Sequence, residues 1–380
     1  MSLAGIVLGL IVLAIWIGIV FGRGWFWWPR VTKLSPEPAS WPSVAAIVPA
    51  RDEAACVGEA IASLLRQDYP GEFSIVLVDD HSSDGTADIA RRAAMSAGRS
   101  DRLRIAAAAP LPHGWTGKLW ALRQGMTVAG ASDLLLFTDA DIAHHPSNLR
   151  ELAARLVHKE RDLVSLMVLL HCESLAERFL IPAFVFFFAM LYPFAWVNDR
   201  EHRIAAAAGG CILIKREALE RIGGLESIRG EMIDDCALAA AVKHSGGGIW
   251  LGLTRETRSL RRYPRLADIW NMVARTAYTQ LRHSPWLLGA TVAGMALAYV
   301  APPLLLSAGG IAAWLGGAAW LLMMIAYLPM VRFYRLSPLW SPLLPATALV
   351  YVAATIDSAR RYRKGKGGQW KGRVAWRNAR

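Results

Sequence analysis

Long stretches without a charged residue constrain this chain more than any other feature. No Asp, Glu, Lys or Arg occurs in residues 2–22, 286–330 or 336–356. About 20 apolar residues suffice for a helix to cross the hydrocarbon core of a bilayer. Residues 2–22 therefore predict a transmembrane anchor, because a cleaved signal peptide would begin with charged residues and have a shorter apolar run. Residues 286–330 have room for two spans.

The composition also requires a water-exposed domain. Of the 380 residues, 54% are hydrophobic, which is high for a soluble enzyme, and 19% are charged, which is high for a bundle of membrane helices. A soluble domain joined to membrane segments fits both numbers. The four cysteines have no CxxC or Cys/His spacing, so the sequence does not support a zinc site and we expect free thiols.

The net charge of +12 is concentrated in two basic clusters. Basic clusters beside apolar spans favour contact with anionic phospholipid, and the spans argue against nucleic acid as a partner. The clusters consist of Arg255, Arg258, Arg261, Arg262, Arg265, Arg275 and Arg282, and of Arg360, Arg361, Arg363, Lys364, Lys366, Lys371, Arg373, Arg377 and Arg380.

The positive-inside rule orients the apolar segments, with one conflict. Arg23, Arg30 and Lys33 follow the first span, which places the next part of the chain in the cytoplasm, at a bacterial-type inner membrane. A two-span hairpin then leaves Arg332 and Arg335 on the same side. One more crossing through residues 336–356 would put the basic tail outside, against the rule. Either this proline-containing stretch is re-entrant, or the number of spans differs by one.

Short apolar runs alternate with helical patterns between the apolar ends. We predict strands at residues 44–48, 74–78, 103–107 and 134–138, and helices at 54–67, 86–97 and 118–129. This alternation implies an α/β fold with a doubly wound, largely parallel sheet. Ligands of such sheets bind beyond the carboxyl ends of the strands, where this chain has its unusual polar residues.

Another apolar stretch, residues 179–197, interrupts the α/β region. A simple crossing there would place Asp139 and Asp235 on opposite sides of a bilayer. We therefore predict an interfacial helix or a re-entrant hairpin broken at Pro182 and Pro193, with a buried core helix as the alternative. The predicted division is an anchor (1–23), a linker (24–42), an α/β domain (43–265), an Arg-containing interfacial segment (266–285), two or three membrane spans (286–356) and a basic cytoplasmic tail (357–380).

The strongest chemical signal is a pair of acids at the end of a predicted strand. Asp139 and Asp141 follow the apolar run 134–138 directly. Alternate side chains of an extended segment point the same way, so both carboxylates can face one ligand. Two hard oxygen ligands suit Mg²⁺ or Mn²⁺ held jointly with substrate phosphates. A solvated turn is the alternative, and the buried strand before the pair counts against it.

Two further acid pairs lie at informative places. Asp79 and Asp80 end a predicted strand, and Asp84 rather than this pair is expected to cap the following helix. Asp234 and Asp235 lie among apolar residues, where partial burial and mutual repulsion favour a proton acceptor. The first predicted strand leads into no GxGxxG motif, which argues against a dehydrogenase.

Six motifs in order resemble those of family 2 glycosyltransferases with a GT-A fold, and the resemblance implies a GT-A-like, doubly wound mixed sheet. The flanking membrane segments are similar to those of the branch associated with hopanoid biosynthesis. The motifs cover roughly residues 43–245 and are VPARDE at 48–53, VDDHSSDGT at 78–86, TGKLWAL at 116–122, TDAD at 138–141, GGCILIKREALERIGG at 209–224 and IDDCALA at 233–239.

The resemblance implies a role for each matched residue. Asp139 and Asp141 match the metal motif, with Asp141 as the direct ligand. Asp235 matches the catalytic base, and Asp234 replaces the Glu that usually precedes it. The residues implied to bind the nucleotide diphosphate sugar are Pro49, Arg51, Glu53, Asp79, Asp80, Lys118, Asp139, Gly209 and Gly210.

The family's later QxxRW signature is degraded here. In the segment 279–283 only Arg282 is in register, which disfavours processive transfer. The resemblance thus implies an inverting, metal-dependent enzyme that moves one sugar to a membrane lipid at the cytoplasmic face, in hopanoid or related isoprenoid lipid metabolism. A processive polysaccharide synthase and a non-catalytic membrane scaffold are the alternatives.

Overall fold

The computed structural model describes residues 3–29, 35–365 and 367, and the backbone of residues 369–370 and 373–374. These residues fall into two compact units. The apolar unit comprises Met1–Pro29, Cys172–Ala195 and Arg262–Gly368, and the α/β unit comprises Arg30–His171, Trp196–Arg261 and Gln369–Arg380. The side chains of Arg30, Lys33, Lys366, Lys371, Arg373, Arg377 and Arg380, which entered the charge arguments, lie outside the described part.

The elements follow one another in the order predicted for an α/β chain with apolar ends. They are α1 (Leu3–Gly22), β1 (Val44–Ala50), α2 (Val57–Leu65), β2 (Phe73–Asp79), α3 (Thr86–Ser96), β3 (Leu103–Ala107), α4 (Gly117–Ala129), β4 (Leu134–Thr138), β5 (Ile142–Ala143), α5 (Asn148–His158), β6 (Leu163–Leu169), α6 (Leu175–Leu191), α7 (Phe194–Asn198), β7 (Cys211–Lys215), α8 (Arg216–Arg221), α9 (Asp234–His244), β8 (Ile249–Ser259), α10 (Leu266–Gln280), α11 (Pro285–Met295), α12 (Ala301–Leu305), α13 (Gly310–Phe333), α14 (Leu344–Arg363), β9 (Gln369–Trp370) and β10 (Arg373–Val374).

Eight strands of the α/β unit form one mixed sheet, in the order β3-β2-β1-β4-β7-β6-β8-β5. Strands β1 to β4 pair in parallel, while β7 runs antiparallel to both β4 and β6. The predicted α/β class with a mixed sheet is confirmed. The parallel half brings the carboxyl ends of β1, β2 and β4 to one edge, which is where ligands of such sheets bind.

Helices cover both faces of the parallel half. Ile75 and Leu77 of β2 belong to the large apolar core, and the alternate residues Val76 and Val78 pack in a second cluster with α4. Burial on both faces explains why the strands read as continuous apolar runs in the sequence. Gly125 allows α4 to approach β1 closely, since a Cβ there would lie 2.3 Å from Cγ2 of Ile47.

The predicted helix ends need small corrections. The helix predicted at 54–67 is shorter and spans Val57–Leu65, because loop contacts take up the residues before it. Asp84 is not the N-cap of α3. Gly85 is the N-cap residue, with a φ of 83°. Asp84 precedes it, and its carboxylate accepts a hydrogen bond from the backbone N–H of Thr86.

The apolar unit contains the candidate membrane spans. Four helical segments are long and apolar enough to cross a bilayer: Leu3–Gly22, Pro285–Ala308, Gly310–Phe333 and Pro338–Arg363. Their length and composition indicate membrane association. The last segment begins with a 3₁₀ helix, Pro338–Leu343, before α14.

Helix α6 groups with the apolar unit rather than with the sheet. It runs unbroken through Pro182 and ends at Leu191, so the predicted break at Pro182 is wrong. Phe186 is fully buried, with its ring 5.2 Å from that of Phe26 and 5.3 Å from that of Tyr327. Such packing stabilises the helix around a proline that removes one of its backbone hydrogen bonds.

Candidate functional site

Two loops at the carboxyl edge of the sheet hold the predicted nucleotide-binding acids. Asp79 ends β2 beside Ala50 of β1 and accepts hydrogen bonds from the backbone and hydroxyl of Ser82. Arg51 Nη1 donates to the Asp80 carbonyl at 2.5 Å and lies 3.6 Å from its carboxylate. These contacts join the ends of β1 and β2 into one polar surface.

Unfavourable backbone angles mark the same two loops. Asp52 and His81 have φ values of 50° and 56°, in the left-handed region that non-glycine residues avoid. Hydrogen bonds between the loops hold this conformation: the Asp52 N–H donates to Ser82 Oγ, and the Ser83 N–H donates to Asp52 Oδ1, both at 2.9 Å. Strain of this kind concentrates at binding sites.

Lys118 connects two of the predicted acid pairs. It lies in the first turn of α4, and its Nζ is 2.8 Å from Asp139 Oδ1 and 3.6 Å from Asp234 Oδ2. Burial by itself would lower the pKa of Lys118, but these two carboxylates raise it above its ordinary value. The ammonium group therefore stays protonated between the predicted metal motif and the predicted base.

Asp235 is held by backbone donors on both carboxylate oxygens. The Gly209 N–H donates to Oδ2 at 2.8 Å, and the Cys236 N–H donates to Oδ1 at 2.7 Å. Burial and the neighbouring Asp234 raise the pKa of Asp235 to about 6, against the opposing effects of Lys118 and these hydrogen bonds. A carboxylate with this pKa is ionised at neutral pH and is a stronger base than an exposed one.

A side chain at Gly209, but not one at Gly210, would collide with polar groups of the site. A Cβ at Gly209 would lie 3.1 Å from Lys118 Nζ and 3.3 Å from Asp235 Oδ2, whereas a Cβ at Gly210 would meet only carbon atoms of Ile142 and Val168. A small cavity beside Gly209 is also lined by Pro49, Lys118, Phe137, Thr138, Asp234 and Asp235.

Asp141 lies in a separate ion-pair cluster. Arg261 donates from Nε to Asp141 Oδ2 at 2.6 Å, and its Nη2 lies 2.7 Å and 2.8 Å from the two carboxylate oxygens of Glu53. Burial and the charge of Asp139 raise the pKa of Asp141, and Arg261 opposes that rise. Sequence reasoning had grouped Arg261 with the arginines expected at lipid headgroups.

The chemistry of Asp139 and Asp141 suits a divalent cation, although the chain supplies an incomplete ligand set. Within the described residues, no group of three or more His, Cys, Asp or Glu side chains is arranged to hold a metal ion. Mg²⁺ is commonly held by one or two carboxylates together with phosphates of the substrate. Two carboxylates beside a nucleotide pocket therefore fit a cation that binds together with its donor.

A buried chain of hydrogen bonds through Thr138, His144 and Asn148 holds the backbone of Gly210. The Thr138 hydroxyl donates to the Gly210 carbonyl at 2.9 Å and lies 2.8 Å from His144 Nε2, while Asn148 Nδ2 is 3.0 Å from His144 Nδ1. Burial lowers the pKa of His144 to about 3, so the imidazole is neutral. No motif in the sequence had singled out His144 or Asn148.

The predicted site residues thus fall into three adjoining groups within the α/β unit. Arg51, Asp79 and Asp80 share the loops after β1 and β2. Lys118 joins Asp139, Asp234 and Asp235 beside Gly209, and Arg261 joins Asp141 to Glu53. The degraded signature belongs to the apolar unit, where Gln280 ends α10.

Part of the chain is similar in sequence to known proteins. The family description "Glycosyl transferase family 2" matches residues 45–223. An N-acetylglucosaminyltransferase of Rhizobium leguminosarum bv. viciae is 34% identical over 140 residues, which are 35% of this chain and 30% of the relative. The chain therefore matches about a third of that curated relative.

Similarity to a solved structure covers nearly the whole chain. A mannosyltransferase from Pyrobaculum calidifontis, solved in complex with GDP-Man and Mn²⁺, superimposes with a TM-score of 0.59 over 94% of this chain and 98% of the other. At 19% identity this likeness establishes the fold. The sheet is GT-A-like, and residues 45–223 are similar to glycosyl transferase family 2.

Proposed function

We propose that this protein is a membrane-bound, inverting glycosyltransferase that moves one sugar from a nucleotide diphosphate sugar to a lipid acceptor. The observation that carries the proposal is the convergence of Lys118, Asp139 and Asp235 beside Gly209. This cluster puts a cation, a metal-type carboxylate and a base of raised pKa around one position that lacks a side chain. No covalent nucleophile is required, because a single displacement suffices.

The donor side of the proposal rests on the two strained loops. Asp79, Asp80 and Arg51 offer carboxylates and a guanidinium at the carboxyl edge, where a base and ribose can be recognised by hydrogen bonds. Asp139 and Asp141 would hold Mg²⁺ or Mn²⁺. When bound, this cation neutralises negative charge that develops on the departing nucleoside diphosphate. Lys118 adds a second positive charge on the same side.

The acceptor side rests on Asp235. Its carboxylate accepts the proton of the acceptor hydroxyl as that oxygen forms a bond to the anomeric carbon and the bond to the diphosphate oxygen breaks. The backbone donors at Gly209 and Cys236 fix the orientation of the carboxylate before the reaction. Attack opposite the leaving group inverts the configuration of the anomeric carbon.

A lipid acceptor at the cytoplasmic membrane face is favoured by the four helical segments of membrane length. Basic residues near those segments, among them Arg275 and Arg282, would contact anionic phospholipid. Resemblance to the hopanoid-associated branch makes a hydroxylated hopanoid or related isoprenoid lipid the first acceptor class to be tested. The degraded QxxRW segment favours transfer of a single sugar.

The test is donor turnover by the purified protein in nanodiscs. Mn²⁺ and a panel of UDP- and GDP-sugars are supplied with and without a bacterial isoprenoid lipid extract, and released nucleoside diphosphate is measured. We expect release with one donor, acceleration by the extract, and a lipid product with inverted anomeric configuration by NMR. No release with any donor would contradict the enzymatic proposal and favour a scaffold. A polymeric product would favour a processive synthase.

A further inference from the structure

We propose that Arg261 couples cation binding to donor binding: its guanidinium holds Asp141 and Glu53 in the free protein and moves to the diphosphate when the donor arrives. The proposal rests on the proposed function, because it concerns the same nucleotide pocket. Its consequence is that the cation binds weakly alone and more tightly once the nucleotide is present.

The contacts of Arg261 define the free state. Nε is 2.6 Å from Asp141 Oδ2 and Nη2 is 2.7 Å from Glu53 Oε1. The two carboxylates are 11% exposed, whereas the Arg261 side chain is 33% exposed. The guanidinium thus covers both acids from the solvent side, where a diphosphate could reach it.

The backbone beneath Arg261 is fixed, so an exchange of partners needs only side-chain rotation. The N–H of Leu260 donates to the Asp141 carbonyl at 2.7 Å, and the N–H of Arg261 donates to Ser259 Oγ at 3.3 Å. A guanidinium suits either partner, because its planar set of donors matches carboxylate and phosphate alike.

The charges around Arg261 and Lys118 favour joint binding of the cation and the nucleotide. Five carboxylates lie around the cations Lys118 and Arg261, which leaves three negative charges in excess: Asp139, Asp234 and Asp235 near Lys118, and Asp141 and Glu53 at Arg261. A divalent cation alone reduces this excess to one. The carboxylates repel a diphosphate group until the cation is bound, and the diphosphate offers Arg261 new acceptors, so cation and nucleotide should favour each other's binding.

The small number of metal ligands that the protein offers also favours joint binding of the cation and the nucleotide. The described residues supply no group of three or more metal-binding side chains, so phosphate oxygens and water can take the remaining coordination positions. Removing Arg261 frees Asp141 for the cation but removes one partner of the diphosphate. The two ligands should therefore respond in opposite directions to the same substitution.

The experiment measures binding rather than turnover, with Mn²⁺ followed by electron paramagnetic resonance and UDP and GDP followed by calorimetry. For the unmodified protein we expect Mn²⁺ to bind about tenfold more tightly when the preferred nucleoside diphosphate is saturating, within the usual range of coupling between sites. In Arg261→Gln, Mn²⁺ alone should bind severalfold more tightly and the nucleotide alone about tenfold more weakly. The coupling should fall severalfold, to the part that direct contact between phosphate and cation supplies.

Two further variants control for folding and for charge. Arg258→Gln is the matched control, because Arg258 lies three residues earlier, is 61% exposed and pairs with Glu59. It should leave all three quantities unchanged. Arg261→Lys keeps the charge without the planar donors, so it should keep weak binding of Mn²⁺ alone while weakening nucleotide binding. Thermal melts establish that each variant is folded.

The outcomes separate the two proposals. If the unmodified protein binds neither nucleotide in the presence of Mn²⁺, the proposed function fails and the role of Arg261 fails with it. If it binds a nucleotide but Arg261→Gln retains the full coupling, or binds Mn²⁺ alone more weakly, only the role of Arg261 is overturned.

Discussion

At the scale of single residues, the chemistry of the site depends on the polar groups around the Asp235 carboxylate. Two backbone N–H groups hold its carboxylate, Lys118 lies nearby, and Asp234 raises its pKa together with burial. An acid in this setting can accept a proton at neutral pH without being neutralised by a direct ion pair. Asp139, in contrast, is paired with Lys118 at 2.8 Å and suits binding rather than proton transfer.

Asp235→Asn should separate binding from chemistry. The amide keeps the size of the side chain and an acceptor for the Gly209 N–H, but it cannot take a proton. We expect nucleotide binding within about twofold of the unmodified protein, and transfer slower by about a hundredfold or more, the usual contribution of a positioned base. Calorimetry and single-turnover transfer measure the two. Transfer within about threefold of the unmodified protein would require another base.

The pKa of Asp235 predicts the acidic limb of the pH profile. Since the carboxylate must be ionised to act and its pKa is raised to about 6, kcat/KM should fall tenfold per pH unit below pH 6 and level off above it. Asp234→Asn removes the like charge that raises this pKa. The limb should therefore move to lower pH in that variant. An unchanged limb would show that the profile reports a different group.

At the scale of elements, the two glycines before β7 shape the site, because neither has a side chain and their backbone contacts other site residues. Gly209 donates to Asp235, and Gly210 accepts from Thr138 at the end of β4. The antiparallel pairing of β7 with β4 places Cys211 opposite Thr138, which fixes both glycines beside the metal motif. The neutral His144 holds the Thr138 hydroxyl from the other side.

Gly209→Ala should disturb the reaction more than the fold. The backbone at Gly209 is not left-handed, so alanine can adopt it, but the new Cβ would lie 3.1 Å from Lys118 Nζ and 3.3 Å from Asp235 Oδ2. We expect transfer to slow by about ten- to a hundredfold, since small displacements of reacting groups are costly. Melting temperature and transfer rate measure the two effects.

Gly210→Ala is the matched control for this substitution. Its Cβ would approach Ile142 Cδ1 at 3.3 Å and Val168 Cγ2 at 3.5 Å, and no polar group of the site. It should therefore slow transfer much less than Gly209→Ala does. Equal losses in the two variants would mean that the segment tolerates no side chain at all, and that the contact with Lys118 and Asp235 is not the cause.

At the scale of the whole molecule, contacts inside the apolar unit bear on the conflict over the basic tail. Ser341 Oγ donates to the carbonyl of Met324 at 2.6 Å, so the 3₁₀ helix Pro338–Leu343 lies beside the middle of α13. At the other end of α14, the Tyr362 ring stacks on His283 at 4.1 Å, directly before α11 begins. The chain after Phe333 thus reaches the middle of α13 and returns along α14 towards the start of α11.

We therefore predict three crossings, with the end of α14 on the same side as Arg332 and Arg335. This arrangement satisfies the positive-inside rule, which four crossings would violate. A fluorescent protein fused after Arg363 in a bacterial host should be fluorescent, and alkaline phosphatase at the same position should be inactive. Fusions ending at Ala308, between α12 and α13, are the control and should show the opposite pattern. An active phosphatase after Arg363 would mean that α14 crosses.

Features that depend on local patterns could be predicted from the sequence. The strands at 103–107 and 134–138 have the predicted bounds, and the apolar segments of membrane length stand where uncharged runs predicted them. Both follow from hydrophobic periodicity and length, which each segment carries alone. The acids at the ends of β2 and β4 were also evident, because parallel strands present their carboxyl ends at one edge.

The ion pairs between residues distant in sequence became evident only in the folded structure. Nothing local distinguishes Arg261 from its basic neighbours, yet packing brings it to Asp141 and Glu53, 120 and 208 positions away. The same holds for Gly209 beside Asp235 and for α6, which an apolar pattern left open between interface and core. A side chain's charge and polarity are local properties, whereas its partner depends on how distant segments pack, and the partner sets its pKa and role.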